Sequence, residues 1–100
     1  MTSQLHIEGS TLCWKDQEGL LHRDEDQPAI IRVDGGKYWY QHGKLHREND
    51  LPAVVFANGA KYWYQHGEQH RDGDKPAVVH ASGYKAWWHH GKFIRSEGGP

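Results

Sequence analysis

The chain has 100 residues, of which 12 are basic and 13 acidic, so its formal net charge is −1 at pH 7. This length suits one domain with a modest hydrophobic core. The charges are interspersed and nearly balanced, which argues against a charge-driven nucleic-acid binder and equally against an acidic mimic of DNA.

Composition also bears on the compartment. No apolar run approaches membrane-spanning length, and the first ten residues contain neither a basic region nor an apolar stretch. The single cysteine, Cys13, has no internal partner for a disulfide, and unpaired cysteines are usual in reducing compartments. We therefore expect a cytoplasmic protein with no membrane partner.

A repeat of 24 residues organises nearly the whole sequence. Residues 38–61 and 62–85 are identical at 16 of 24 positions, and such regularity is the signature of a repeat architecture. We predict that 1–100 is a single repeat domain. Its predicted parts are an opening hairpin at 4–15, repeats at about 14–37, 38–61 and 62–85, and a C-terminal half-repeat at 86–100.

All the predicted elements are strands. Glycine recurs every few residues and apolar residues alternate with a period of two, which indicates strands and not helices. The predicted strands are 4–8 and 11–15, then 29–33, 36–41 and 44–47, then 53–57, 60–65 and 68–71, then 77–81, 84–89 and 92–95. The predicted fold is all-β: an elongated, twisted antiparallel meander of tandem 24-residue hairpins, without helix and with over half of its residues in strands.

The first repeat departs from the others in one spacing. Trp14 precedes Gly19 by five residues, whereas Trp39, Trp63 and Trp87 precede their glycines by four. A slip of one residue would turn Trp14 to the other face of the sheet. We expect the extra residue to be accommodated within 15–19, as a bulge or a wider turn.

Turn signals predict the register of the strands. Asp-Gly, Asn-Gly and Ser-Gly pairs predict two-residue type I′ turns with positive φ at their glycines, which are Gly35, Gly59 and Gly83. In the second repeat such a turn places three pairs opposite each other: Val55 and Tyr62, Val54 and Trp63, Ala53 and Tyr64.

A second turn signal in each repeat is His-Gly. It places Trp63 opposite His70 and leaves His42 and His66 as turn residues that point at solvent. Together the two turns predict that Trp, His and one Val share a face of the sheet, while the tyrosines, Ala and the other Val share the opposite face.

The aromatic residues allow two interpretations. In the first, the Tyr-Trp-Tyr segment is a strand that packs on both faces. In the second it is a binding surface, whose candidate residues are Trp39, Trp63, Trp87, His46, His70, Lys37, Lys61 and Lys85. Lysines beside aromatic platforms hold single-stranded nucleic acid. The acidic residues in every loop weaken such a field, so nucleic acid ranks last among the candidate partners.

The segments 22–26, 46–50 and 70–74 align a histidine, an arginine and an aspartate. Three equal copies argue against catalysis, because an active site is usually single. We predict a structural role in which arginine and aspartate pair, or the aspartate bonds loop N–H groups before the proline. The residues concerned are Arg23, Arg47, Arg71, Asp26, Asp50 and Asp74. His-x-x-x-His spacing has no special geometry without a helix, so we expect neither a metal nor another cofactor. Because no catalytic constellation is evident, we also expect no enzyme.

The pattern W-Y-x-x-G-x-x-H-R-x-x-D-x-P-A resembles divergent MORN (membrane occupation and recognition nexus) repeats of small bacterial and bacteriophage proteins. One instance is Trp39, Gly43, His46, Arg47, Pro52, Ala53 and Gly59, and residues 12–95 fit the period. The sequence departs from the MORN signature in having Arg47 and Arg71 where that signature has glycine, and in lacking its Y-x-G opening. The resemblance implies an elongated sheet of hairpins used for contacts with other macromolecules.

The function that we expect is non-catalytic binding of another protein, for example as a phage-type accessory factor or inhibitor of host machinery. The alternative is a glycan- or choline-binding module, whose repeats resemble these more weakly; it predicts equivalent pockets lined by Trp, Tyr and Asp in successive repeats. The open edges of the meander should be 4–8 and 92–95. Only Glu8 protects the first of them, so we predict a homodimer or partner docking there.

Overall fold

The computed structural model describes residues 3–98, which contain thirteen β-strands and no helix. The molecule therefore has no helix, within those residues, that is long and apolar enough to cross a membrane. Strands make up 42% of the residues, less than the predicted half. They are β1 Gln4–Glu8, β2 Thr11–Lys15, β3 Ile30–Ile31, β4 Lys37–Tyr38, β5 Tyr40–Gln41, β6 Lys44–Leu45, β7 Val54–Val55, β8 Lys61–Tyr62, β9 Tyr64–Gln65, β10 Glu68–Gln69, β11 Val78–Val79, β12 Lys85–His89 and β13 Lys92–Glu97.

Nine of these strands form one antiparallel sheet in the order β1-β2-β3-β4-β7-β8-β11-β12-β13. The pairs β5–β6 and β9–β10 form two small hairpins beside it. The molecule measures 40 × 26 × 18 Å along its principal axes. This arrangement confirms the predicted all-β meander of hairpins, and β1 and β13 are its two edges, as predicted.

The long aromatic strands predicted at 36–41 and 60–65 are each divided at their tryptophan. The Trp39 N–H donates to the carbonyl of Ala53 at 2.7 Å, and the Trp39 carbonyl accepts from the His46 N–H at 3.0 Å. The chain thus pairs with one neighbour before Trp39 and with another after it. Because each half belongs to a different sheet, the strands are shorter than predicted. In the last repeat β12 stays continuous, with a bulge between Trp87 and Trp88.

The predicted two-residue turn at Asn58-Gly59 is wrong. The Phe56 N–H donates to the carbonyl of Ala60, and the Gly59 N–H donates to the carbonyl of Phe56, both at 2.9 Å, which closes a three-residue loop. Gly59 has φ +93°, while Asn58 is not in the positive-φ region. The Asn58 side chain accepts the Ala60 N–H at 2.9 Å, and this local bond stabilises the observed turn.

The extra loop residue shifts the predicted register by one. Val54 lies opposite Tyr62 and Val55 lies opposite Lys61, so the three predicted pairs of Val55, Val54 and Ala53 are wrong. Val54 therefore shares a face of the sheet with Tyr62, and Val55 shares the opposite face with Lys61. The predicted assignment of the two valines to the two faces is reversed. The positive φ values predicted for the turn glycines are confirmed, at +98° for Gly35, +93° for Gly59 and +101° for Gly83.

The type I′ turns occur instead at the His-Gly pairs. His66 has φ +52° and Gly67 has φ +85°, so both central residues are in the region that this turn requires. The predicted pairing that follows from it is confirmed, because the His70 N–H donates to the carbonyl of Trp63 at 3.1 Å.

The wider turn predicted for the first repeat is also confirmed. The Asp16 N–H donates to the Leu20 carbonyl at 2.8 Å and the Gly19 N–H to the Asp16 carbonyl at 3.0 Å. One extra residue therefore lies in the loop, and Trp14 keeps its face. Its carbonyl accepts the His22 N–H at 3.0 Å, as in the later repeats.

The core between these elements is thin and built from small and aromatic residues. One alanine in each repeat is completely buried, and Trp39, Trp63 and Trp87 are each less than a tenth exposed. The buried apolar residues are Cys13, Ala29, Trp39, Ala53, Val54, Ala60, Trp63, Ala77, Val78, Ala86 and Trp87. Val54 and Val78 are the only aliphatic side chains larger than alanine among these buried residues.

Candidate functional site

A ladder of tryptophan, arginine and aspartate runs along the array. Each rung of this ladder is an arginine stacked on a tryptophan, and in the rungs after the first the arginine also pairs with an aspartate. The guanidinium carbon lies 3.6 to 3.9 Å from the indole centroid in four rungs, formed by Arg23 on Trp14, Arg47 on Trp39, Arg71 on Trp63 and Arg95 on Trp87. Such stacking over an indole face is a favourable cation–π contact.

The aspartate of a rung comes from the preceding repeat. Arg71 donates from Nε to Asp50 Oδ1 at 2.8 Å and from Nη2 to Asp50 Oδ2 at 3.2 Å. Arg47 binds Asp26 in the same way at 2.9 and 3.3 Å. The predicted pairing of arginine with aspartate therefore occurs, but it joins two repeats instead of closing one loop.

The same aspartate also binds the tryptophan of the rung. Trp63 Nε1 donates to the main-chain carbonyl of Asp50 at 3.0 Å, and the equivalent bonds reach Asp26 and Asp74. Asp50 has φ +58° and the preceding Asn49 has φ +62°. This left-handed pair of residues turns the carbonyl and the carboxylate towards the same neighbour.

A second anchor fixes the guanidinium groups of Arg47 and Arg71 within their own repeats. Arg71 donates from Nη1 to the carbonyl of Pro76 at 3.1 Å, and Arg47 donates to Pro52 at 3.1 Å. The proline carbonyl, the indole ring and the aspartate thus hold three sides of one planar group. A bidentate carboxylate contact of this kind suits arginine and not lysine.

The histidines predicted to lie beside the tryptophans form a parallel set of contacts. His46 Nδ1 accepts the main-chain N–H of His66 at 3.0 Å, and the two rings lie 4.4 Å apart. His46 Nε2 is hydrogen-bonded to Glu48. The side chain of His66 is exposed, as predicted for a turn residue, but it also covers the buried ring of the preceding repeat.

Among residues 3–98, two clusters each bring three metal-ligating side chains together, with ligand atoms within 4.8 Å of one another: His70 with His89 and His90, and Asp16 with His22 and His42. In the first cluster, His70 Nδ1 accepts the His90 N–H at 3.0 Å and Nε2 is hydrogen-bonded to Asp72 at 2.7 Å. Both ring nitrogens of His70 are therefore used by the fold, and a metal ion would have to break one of these bonds.

Grooves lie between successive loops of the ladder. One of about 370 Å³ is lined by Trp63, Asp50, Arg71 and Lys75 among others. An equivalent groove of about 640 Å³ in the preceding repeat is lined by Trp39, Asp26, Arg47 and Lys44 among others. They contain the tryptophan and aspartate expected of repeated ligand pockets, but no tyrosine.

The lysines predicted as binding residues lie in one row across the sheet. Lys61 is opposite Val55 on one neighbouring strand and opposite Val79 on the other. Lys37 and Lys85 continue the row, and all three lysines are exposed. Adjacent tyrosines such as Tyr62 point to the opposite face, because side chains alternate along a strand.

The ladder also changes the acidity of its carboxylates. The hydrogen bond from Arg71 lowers the pKa of Asp50; burial opposes this effect, and Lys75 adds to it. At Asp16, burial raises the pKa, but the N–H groups of Leu20 and Glu18 and the ring of His42 together lower it. Both carboxylates are therefore stabilised in their charged form.

Sequence reasoning missed the contacts between repeats. It placed Arg71 in a loop with its own aspartate and did not assign Gln65, whose side-chain amide donates to the carbonyl of Arg47 at 2.7 Å. The signal was the 24-residue period itself, because residues that recur at the same position of every repeat can contact residues of the neighbouring repeat. The binding role of the tryptophans, histidines and lysines stays a prediction.

No known protein family matches this sequence. No match was found among curated proteins or among solved structures either. The resemblance to MORN repeats therefore remains an expectation from the sequence.

Proposed function

We propose that the protein is a non-catalytic binding module that docks another protein, or a second copy of itself, along its first strand. One observation carries the proposal: β1 is an edge strand of five residues, all of them exposed. Leu5 and Ile7 on it are 48% and 66% exposed. A free, apolar sheet edge of this length is a template for an added strand.

The hairpin geometry determines which backbone N–H groups of β1 point away from β2. Glu8 and Thr11 flank the two-residue turn at Gly9-Ser10, and the residues flanking such a turn exchange both backbone hydrogen bonds. Bonds to β2 therefore alternate back along the strand from Glu8. The N–H groups of Leu5 and Ile7 consequently point away from β2, where a partner strand would accept them.

The other edge of the sheet is better protected. β13 carries Lys92 and Arg95, and Arg95 is paired with Glu97 at 2.6 Å and lies 3.6 Å from Asp74. Charges on an edge strand oppose the approach of another strand. Docking at the first edge leads to a closed symmetric dimer or a one-to-one complex rather than an open polymer.

Light scattering on Ile7→Pro tests the proposal. Proline removes the outward donor of residue 7 without removing a bond to β2, so the variant should stay folded and lose self-association or partner capture. Ile7→Thr is the matched control, because it keeps the N–H group and the strand preference. An assembly that Ile7→Pro leaves unchanged would contradict docking at β1.

The phage-type accessory role in the cytoplasm is the specific form of this function that we propose. Affinity capture from a bacterial host lysate with the wild type, and with Ile7→Pro as the control bait, tests it. A partner retained equally by both baits would contradict the edge as its docking site.

A second candidate is a glycan- or choline-binding module, which the equivalent grooves beside Trp39 and Trp63 favour. Each groove is lined by a tryptophan and by carboxylates, and carboxylates suit sugar hydroxyls or a quaternary ammonium group. Tryptophan emission should then shift on titration with choline or oligosaccharides. Emission that does not change would remove this candidate.

A further inference from the structure

The first rung of the ladder presents its arginine in the same way as the interior rungs. The guanidinium of Arg23 lies 3.6 Å from the ring centroid of Trp14. Its Nη1 donates to the carbonyl of Pro28 at 3.3 Å, which matches the bonds of Arg47 to Pro52 and of Arg71 to Pro76. Two of the three anchors of a rung are therefore in place.

The first rung differs from the interior rungs in the third anchor, which is the aspartate. Within residues 3–98, no carboxylate pairs with Arg23, and no side chain or carbonyl accepts a hydrogen bond from Trp14 Nε1. The two residues that precede this range are Met and Thr, which carry no side-chain carboxylate. The Nε and Nη2 edge of Arg23, which binds aspartate in the later rungs, therefore has no aspartate from this part of the chain.

The interior rungs show what the Nε and Nη2 atoms of the arginine bind. In each interior rung a single aspartate supplies the carboxylate to the arginine and its carbonyl to the indole N–H. Asp26, Asp50 and Asp74 share nearly one backbone conformation, with φ between +55° and +58°. The ligand is thus an aspartate within a turn, and the sequence contains three copies of it.

We propose that Arg23 and Trp14 form a docking site for an aspartate-bearing turn of a partner protein. This inference rests on the proposed function, because it names the chemistry of the partner that docks at this end of the array. Leu5 lies opposite Trp14 on the neighbouring strand, so both occupy one face. A partner whose acidic turn binds Arg23 therefore brings its adjoining chain over Leu5 and the β1 edge.

The site is built before the partner arrives. The indole ring and the Pro28 carbonyl fix the plane of the guanidinium, so little side-chain freedom is lost when a carboxylate binds. Charge-assisted, bidentate bonds are stronger than neutral ones. Removing them should weaken binding at least tenfold, which corresponds to about 1.4 kcal/mol.

A cyclic peptide containing the sequence of residues 47–52, Arg-Glu-Asn-Asp-Leu-Pro, provides a probe with a defined turn. Nuclear magnetic resonance of ¹⁵N-labelled protein reports on the Arg23 Nε and Trp14 Nε1 signals separately. We expect both signals to shift together during the titration. The same peptide with Asn in place of its second acidic residue, the aspartate, should produce no such shift.

Two variants make the test specific. Arg23→Met keeps the apolar stem over the ring and should reduce the peptide affinity at least tenfold, while Lys37→Met removes an equal charge at an exposed site and should leave it unchanged. Signals that do not move, or an affinity that Arg23→Met leaves unchanged, would overturn the docking site. The Ile7→Pro variant separates the two proposals, because it tests the strand edge while leaving Arg23 and Trp14 in place.

Discussion

The interior rungs and the first rung contain the same arginine and tryptophan but differ in what completes them. At Arg71 the neighbouring repeat supplies Asp50, and only a small part of the arginine side chain remains exposed. At Arg23 no described residue supplies that carboxylate. The comparison shows that the same arginine–tryptophan pair is completed by an aspartate of the preceding repeat in the interior of the array, whereas at Arg23 the described residues contain no such carboxylate.

Substitution of the tryptophans should give the largest difference in unfolding free energy between the interior rungs and the first rung. Trp63 is 7% exposed and bonded through Nε1, whereas Trp14 is only partly buried. Trp63→Ala should cost about 3–5 kcal/mol of unfolding free energy, the range for a buried aromatic residue. Trp14→Ala should cost clearly less. Urea unfolding measures both, and equal losses would contradict the difference between the rungs.

Substitution of the arginines tests the same difference between the rungs, with a smaller expected loss of stability. Arg71→Met removes the two bonds to Asp50 and the bond to the Pro76 carbonyl, so we expect a loss of about 1–3 kcal/mol. Arg23→Met removes no carboxylate contact within the described residues and should cost less than about 1 kcal/mol. The two variants serve as each other's control. A larger loss at Arg23 would mean that its rung is completed within the chain.

Gly59 lies in the three-residue loop between β7 and β8 and has a positive φ. Gly59→Val forces a β-branched residue to φ +93°, which should cost about 1–3 kcal/mol. Gly59→Asn is the control, because asparagine tolerates positive φ better than valine does. The melting midpoint should fall for valine more than for asparagine; equal midpoints would contradict the loop conformation.

The smallest expected effect is on the pH dependence of stability. Because Arg71 lowers the pKa of Asp50 in the folded state, this aspartate contributes stability that is present above its unfolded pKa of about 3.9. That stability is lost as the pH falls through the lower, folded pKa. Asp50→Asn should therefore flatten the acid side of the stability profile, while Arg23→Met should not. An unchanged profile in Asp50→Asn would contradict the assignment.

Part of the candidate site could be predicted because it depends on local sequence. The pairing of Trp63 with His70 follows from a His-Gly turn, in which a short connection fixes the register. The extra residue near Gly19 was visible as a change in spacing. The register at Gly59 was mispredicted, because the Asn58 side chain bonds the Ala60 N–H and selects a longer loop over the type I′ turn.

By itself, the sequence determined the 24-residue period, the all-β hairpin meander and its two edge strands, because alternation and turn residues act over a few neighbouring positions. Only the tertiary structure decided that Arg47 binds Asp26 of the preceding repeat, and that Trp39 divides its strand between two sheets. These contacts join residues 21 positions apart, as for Arg47 and Asp26, or depend on which carbonyl a backbone N–H reaches. A periodic sequence permits pairing within a repeat or between repeats equally, and the packing of one hairpin on the next selects between them.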